Sequence, residues 1–115
     1  MNFKFNAWDE ELKHMYKEGN EHVVLNSDGR CYNLQTDNEL IPLFFTGKTD
    51  RLGKELYLGD LAIITNHSKT SSVHECVFKW GMFGFLVTKT GGMWFPDDKD
   101  IEIIGNVYET KAKDK

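Results

Sequence analysis

Cysteine and proline are scarce in this sequence, two of each in 115 residues, and its basic residues are outnumbered. Each shortage excludes something. Cys31 and Cys76 lie far apart and fit no Cys-x-x-Cys pattern, so a disulfide framework is not indicated. Each stands in a strand-like run, where a thiol behaves as a small hydrophobe, and both are expected to be buried and unbridged. Fourteen Lys and Arg stand against 18 Asp and Glu, a net charge of −4. A net acidic chain lacks the basic footprint of a strong duplex nucleic-acid binder. No apolar run approaches the ~18–20 residues of a membrane-spanning helix. The start, Met1 to Asp9, carries no long apolar stretch of a secretory signal, so a cytoplasmic protein with no membrane partner is expected. There the Asn66-His67-Ser68 sequon would go unused. Few prolines, with 40% hydrophobic and 13% aromatic residues, exclude a disordered chain.

What is present reads as short strands between turn signals. Residues 2–8 alternate, with Phe3, Phe5 and Ala7 on one side and Lys4 and Asn6 on the other. Asp9-Glu10-Glu11 predicts a solvated turn or a short helix, stopped by Gly19-Asn20. His22 to Leu25 and Arg30 to Leu34 are strands about a turn at Ser27-Asp28-Gly29. Leu40 to Thr46 is apolar, Gly47 to Lys54 is a charged loop, and Leu56 to Ile64 is a strand segment bent at Gly59-Asp60. Leu61 to Ile64 is continuously apolar, as in a strand covered on both faces. Val73 to Trp80 follows, with Cys76, Phe78 and Trp80 on one face. Gly81-Met82-Phe83-Gly84 predicts the reversal, Phe85 to Thr88 the return, Gly91 to Asp98 a loop, and Ile101 to Tyr108 the last strand. Lys111 to Lys115 predicts a frayed tail. The pattern is that of a small barrel or sandwich.

Residues that could carry chemistry are scattered. Gly47-Lys48-Thr49 ends like a phosphate-binding loop, but Pro42 occupies the position of the required first glycine and no helix pattern follows. His14, His22, His67 and His74 show no zinc spacing; His74 and Cys76 could share a strand face, but no second pair joins them. Neither a metal nor a cofactor is expected, and no catalytic residue set can be defended. The aromatics Phe78, Trp80, Phe83, Phe85, Trp94 and Phe95 are concentrated within eighteen residues. They either fill the core or an interface, or form a stacking surface. Met82 and Phe83, read at the hairpin tip, are expected at an interface, with self-association favoured over folding back onto Trp94 and Phe95.

Three segments together resemble the YopX family of phage and prophage proteins. Phe5-Asn6-Ala7-Trp8-Asp9 is similar to that family's opening Phe-x-Ala-Trp-Asp. Phe45 to Leu61, with Gly53-Lys54-Glu55-Leu56-Tyr57-Leu58-Gly59-Asp60 at its centre, is similar to its Gly-Lys-Glu-Ile-Tyr-Glu-Gly-Asp core. Ile101 to Glu109 is similar to its closing Ile-Glu-Val-Ile-Gly-Asn-Ile-Tyr-Glu. Departures are Phe45 for Tyr, Lys48 for Leu and Leu58 for Glu. The resemblance implies a phage-type protein with an SH3-like C-terminal barrel and self-association; it implies no activity. The motifs themselves read as architectural, with Thr46 to Gly53 a turn and Gly105 a close-packed strand position.

The expected architecture is therefore mainly β: an N-terminal strand and hairpin module over 1–45, a small SH3-like β-barrel over 46–110, and a tail over 111–115. The expected function is that of a non-enzymatic phage accessory protein, binding a host or phage macromolecule as a homo-oligomer. The alternative is a protein that sequesters a nucleotide-like small molecule, with Trp80, Phe83 and Trp94 on the base and Lys48, Arg51, Lys54 or Lys79 on phosphate. Weak single-stranded nucleic-acid binding is a third reading, disfavoured by the acidic balance. The candidate ligand or interface residues are Trp80, Met82, Phe83, Trp94, Lys48, Arg51 and Lys54.

Overall fold

The computed structural model describes residues 4–66, 68–87 and 90–113. Phe3, Thr88 and His67 lie outside the described residues, as do Lys89, Asp114 and Lys115. The chain is mainly β and forms two antiparallel sheets. Both are open, so the expected closed barrel is not seen. The first holds β1 (Phe5–Asp9), β2 (His14–Tyr16), β3 (Val23–Leu25), β4 (Cys31–Asn33), β5 (Glu39–Thr49) and β6 (Glu55–Tyr57). Its order is β2-β1-β5-β4-β3, with β6 also paired to β5. The second holds β7 (Asp60–Thr65), β8 (Ser71–Lys79), β9 (Met82–Val87), β10 (Gly92–Trp94) and β11 (Ile101–Asn106), in the order β10-β9-β8-β7-β11. A 3-10 turn at Asp98–Asp100 precedes β11, and a short helix α1 (Val107–Lys113) follows it.

Several boundaries differ from the sequence reading for definite reasons. Of the turn and the short helix open to Asp9-Glu10-Glu11, the chain takes the turn, between β1 and β2. The Asp9 carboxylate is buried and accepts the Glu11 and Leu12 N–H groups, each at 2.9 Å, and the Asn38 Nδ2 at 2.9 Å. Such bonds suit a turn as well as a helix start, and the pairing of Asp9 with His14 returns the chain as a strand. Gly47 to Thr49 belongs to β5, not to a turn; the register slips between Phe45 and Thr49, and Gly47 takes a φ of +88° within that irregularity. The expected domain limit at 45/46 thus falls inside one continuous strand. Leu56 to Ile64 does not stay in one sheet: Glu55–Tyr57 pairs with β5 and Asp60–Thr65 with β8 and β11. In β7 only Ala62 and Ile64 are fully buried, so the strand is not covered equally on both faces. Gly92–Trp94 is a strand on β9 rather than a loop. Val107 and Tyr108 open α1 instead of ending the last strand, and the helix runs to Lys113, past the start of the expected tail.

Gly105 is not close-packed. A Cβ built there would meet no heavy atom within 4 Å, and the β11–β7 register slips between Ile103 and Gly105. The glycine serves a bulge, not a tight contact.

Leu56, Ala62, Ile64, Cys76, Phe85, Ile101 and Ile103 form the core of the second half. Trp8, Met15 and Leu43 form a cluster of the first. Leu58, half-buried, packs against both and joins them. Ala7, Cys31 and Leu40 make a third cluster behind β4. The cysteines are free, in separate clusters; burial pushes the Cys31 thiol up to about 11 and the Cys76 thiol up to about 12, so both stay protonated.

Candidate functional sites

The β8–β9 hairpin is tighter than its glycines suggested. Lys79 pairs with Met82, so the loop is Trp80-Gly81 alone. Both residues have positive φ, +56° and +77°, the type I′ geometry that matches strand twist. Trp80 therefore occupies the tip, where Met82 and Phe83 were expected. Trp80 is 66% exposed, Phe78 55%, Phe95 51% and Met82 44%. The Lys79 ammonium lies 4.6 Å from the Trp80 ring centre and donates to the Gly91 carbonyl at 2.9 Å, which steadies the tip.

Phe83 turns the other way from Met82. Its ring packs on Phe78 with centroids 4.9 Å apart and lines an apolar pocket of about 160 Å³ with Phe85, Trp94, Phe95 and Leu56. Lys48 stands at that pocket. The structure thus brings together three of the sequence candidates, Lys48, Phe83 and Trp94, and leaves Trp80 and Met82 at the adjoining tip. Trp94 meets the His74 ring edge-on at 5.5 Å. His74 is engaged through both nitrogens, with the Leu86 carbonyl at 3.0 Å and the Ser72 hydroxyl at 2.7 Å. It is a positioning group for the strand pair rather than half of a metal pair with Cys76.

Arg51 and Lys54 are elsewhere. Arg51 pairs with Glu102 on β11. The loop it belongs to is clamped by a residue that sequence reasoning passed over. Asp50 is 3% exposed. Its Oδ1 accepts the Leu52 and Lys54 N–H groups at 2.9 Å each, and its Oδ2 accepts the Ile103 N–H at 3.0 Å. Burial alone would raise the carboxyl's pKa; the N–H bonds from Ile103, Lys54 and Leu52 outweigh it and hold the group below its ordinary value. The signal for such a clamp is an Asp opening a glycine-containing turn, which Asp50 to Gly53 does provide.

Lys54 reaches a second, polar concavity of about 430 Å³ between β6, β7 and the end of β11. Lys17, Glu18 and Lys54 form its exposed rim; buried Asn6, Tyr57 and Asn106 and half-buried Asp60 form its floor. Asp60 Oδ2 accepts the Tyr57 N–H at 2.8 Å, which makes the bend after β6. Tyr57 in turn donates its hydroxyl to Glu55 at 3.1 Å, and Glu55 is paired with Lys4. The three segments that carried the family resemblance, separate in sequence, each supply residues to this one cleft.

Asp60 is unusual among the buried acids. Burial pushes its carboxyl up to about 6, against the Tyr57 N–H and the Lys54 and Lys17 ammonium groups that pull it down. A carboxyl whose folded pKa lies above its unfolded 3.8 binds more protons in the folded state. It therefore costs stability as pH rises through the window from about 4 to 6. Tyr57, Cys76, Lys17 and Lys54 are the titratable groups coupled to it. Asp60→Asn keeps an acceptor for the Tyr57 N–H and removes the charge. The variant is expected to be more stable than the parent by about 1–2 kcal/mol at neutral pH, with the difference gone below about pH 4. Urea midpoints at the two pH values check this; a pH-independent difference contradicts it.

No helix among the described residues is long and apolar enough to cross a membrane. Among solved structures, the chain is similar to the protein yopX from Bacillus subtilis, with 27% identity, a TM-score of 0.58 and 95% of each chain covered. It is also similar in fold to EF1440 from Enterococcus faecalis, with 19% identity, a TM-score of 0.63 and 96% of each chain covered. A search of the curated proteins finds no match. The family model of the YopX protein matches residues 4–112, which takes in all three recognised segments and both sheets that they tie together, and the chain belongs to the YopX family.

Proposed function

We propose that this protein is a non-catalytic phage accessory protein of the bacterial cytoplasm that self-associates and binds a host or phage protein, with the β8–β9 tip as its contact surface. One observation carries the reading. Phe78, Trp80, Met82 and Phe95 are all large, apolar and about half or more exposed, on and beside one hairpin. Leaving such area wet forgoes roughly 25 cal/mol per Å² that a partner would recover. Trp is also the residue type most enriched at interface centres. The rigid two-residue turn presents it at little entropic cost.

Trp80→Asp tests the proposal, because Trp80 is exposed and belongs to none of the three core clusters. The parent is expected to run as an oligomer by light scattering, and the variant at the monomer mass with an unchanged β-sheet spectrum. A monomeric parent overturns the self-association. For the second partner, complexes recovered intact from infected cells should lose the co-purified protein when Trp80→Asp replaces the parent.

A second reading is favoured by the convergence of Lys48, Phe83 and Trp94 on one pocket: sequestration of a nucleotide-like molecule. The pocket's 160 Å³ lies below the ~300–1,000 Å³ of ordinary ligand sites. One chain would enclose only the base, and a second subunit would have to cover the rest. Mass spectrometry of the denatured complex separates the readings, since only this one requires a released nucleotide.

A further inference from the structure

We propose that the polar cleft between β6, β7 and β11 binds a small zwitterion, a free α-amino acid in chemical class, whose ammonium faces Asp60 and Glu18 and whose carboxylate faces Lys17 and Lys54. The site is distinct from the apolar tip and does not depend on it.

The argument is one of shape and unspent charge. At about 430 Å³ the cleft falls within the size range of small-molecule sites. Its other charged groups are already engaged: Glu55 with Lys4 and the Tyr57 hydroxyl, and Glu109, whose carboxylate accepts from the Asn106 Nδ2. Among the described residues, the ammonium groups of Lys17 and Lys54 make no ion pair or hydrogen bond, and neither does the Glu18 carboxylate. Asp60 uses one oxygen, Oδ2, for the Tyr57 N–H and lines the cleft. Two cations and two anions thus remain, held around one concavity by three different parts of the chain. A simple anion would meet Asp60 and Glu18, and a simple cation would meet Lys17 and Lys54. A molecule carrying both charges satisfies all four.

The floor supports this choice. Asn6 spends its carbonyl oxygen on the Glu18 N–H at 2.9 Å, which fixes the rim and leaves its Nδ2 to donate. Asp60 is kept half-buried although its charge is costly there, and the Lys54 and Lys17 ammonium groups favour that charge only through space, with no ion pair to it. A charge retained against stability is a common mark of a site used for binding.

The test is backbone NMR of the intact chain, titrated first with an equimolar mixture of the standard amino acids at neutral pH. Saturable shifts are expected at Glu18, Lys54, Tyr57, Asp60 and Asn106. The amino acid responsible is then compared with its N-acetyl form, which lacks the ammonium, and its C-terminal amide, which lacks the carboxylate. Each blocked form should bind roughly tenfold more weakly or worse, the ratio given by one lost charge-assisted hydrogen bond. Asp60→Asn and the rim pair Lys17→Gln with Lys54→Gln should each weaken binding by a similar factor while keeping the parent spectrum elsewhere. The lysine variants are exposed and give the result even where Asp60→Asn alters the bend. No saturable shift from the mixture overturns the proposal. So does equal binding of the blocked forms, or shifts confined to residues outside the cleft.

Discussion

Asp50→Ala is expected to destabilise the protein by about 3–5 kcal/mol, a large share of the stability of a domain of this size. Three backbone donors, those of Leu52, Lys54 and Ile103, share this one carboxylate, and the substitution leaves all three without it. The Ile103 N–H is the most consequential, because that bond fastens the 50–54 loop to β11 across 53 residues of sequence. Water can enter the loop side and re-solvate Leu52 and Lys54, which sets the lower end of the range. Asp50→Asn should fall between parent and Ala, since its amide keeps one acceptor oxygen and aims an NH₂ at a donor. The pH sign is opposite to that of Asp60. Asp50 has a folded pKa below its unfolded 3.8, so its contribution is present above that value and is lost as pH falls through the folded pKa. Chemical denaturation of the three proteins at neutral pH measures the order. An Ala variant within 1 kcal/mol of the parent, the scale of an ordinary surface change, contradicts the clamp.

Gly59→Ala should cost about 2–4 kcal/mol, from two separate sources. Gly59 has a φ of +85°, where a side chain costs roughly 1–2 kcal/mol. Its new Cβ would also stand 2.7 Å from Tyr108 Cε2, with Leu43 Cδ2 at 3.8 Å. Tyr108 cannot simply swing aside, because it packs on the Trp8 cluster with ring centres 5.7 Å apart. Gly59 is also bonded on both sides, its N–H to the Cys76 carbonyl and its carbonyl to the Val107 N–H, each at 2.9 Å. Gly29→Ala is the control. Its φ is +89° and its Cβ would meet nothing within 4 Å, so it carries the backbone cost alone. Unfolding midpoints should place Gly59→Ala clearly below Gly29→Ala. Equal losses would mean that the Tyr108 contact yields freely.

Local features of this fold were legible in the sequence, and long-range ones were not. The Asp28-Gly29 turn, the break at Gly59-Asp60 and most strand positions follow from alternation and turn chemistry, which act over a few residues. The tip of the β8–β9 hairpin was misplaced by two residues because a tryptophan at positive φ is rare, and the flanking glycines pointed to Met82 and Phe83 instead. That β6 pairs with β5 while the next strand joins another sheet is a matter of tertiary pairing, and no periodicity within Leu56 to Ile64 encodes it. The candidate residues divide along the same line. The aromatics concentrated between Phe78 and Phe95 lie together at the apolar pocket and the adjoining tip. Lys48, Arg51 and Lys54, neighbours in sequence, point to a pocket, an ion pair and a separate cleft, because β5 ends and the Asp50 turn redirects the chain between them. The polar cleft went unseen since its members come from residues 6, 17 and 18, 54 to 60 and 103 to 109, and only the fold makes them adjacent.

The contact between Trp8 and Tyr108 has a consequence for how the chain is made. Trp8 is fully buried, yet Tyr108 near the other terminus helps to cover it. β1 likewise obtains only β2 from its immediate neighbourhood and waits for β5 for its other edge. During synthesis, the first forty residues can form local hairpins but have no lid and no completed sheet. Completion of the packing around Trp8 therefore waits until Tyr108 has left the ribosome. Until β5 is made the nascent chain offers an unpaired strand edge, and until Tyr108 is made an incompletely covered indole, to a chaperone or a sibling chain that competes with the intramolecular partner.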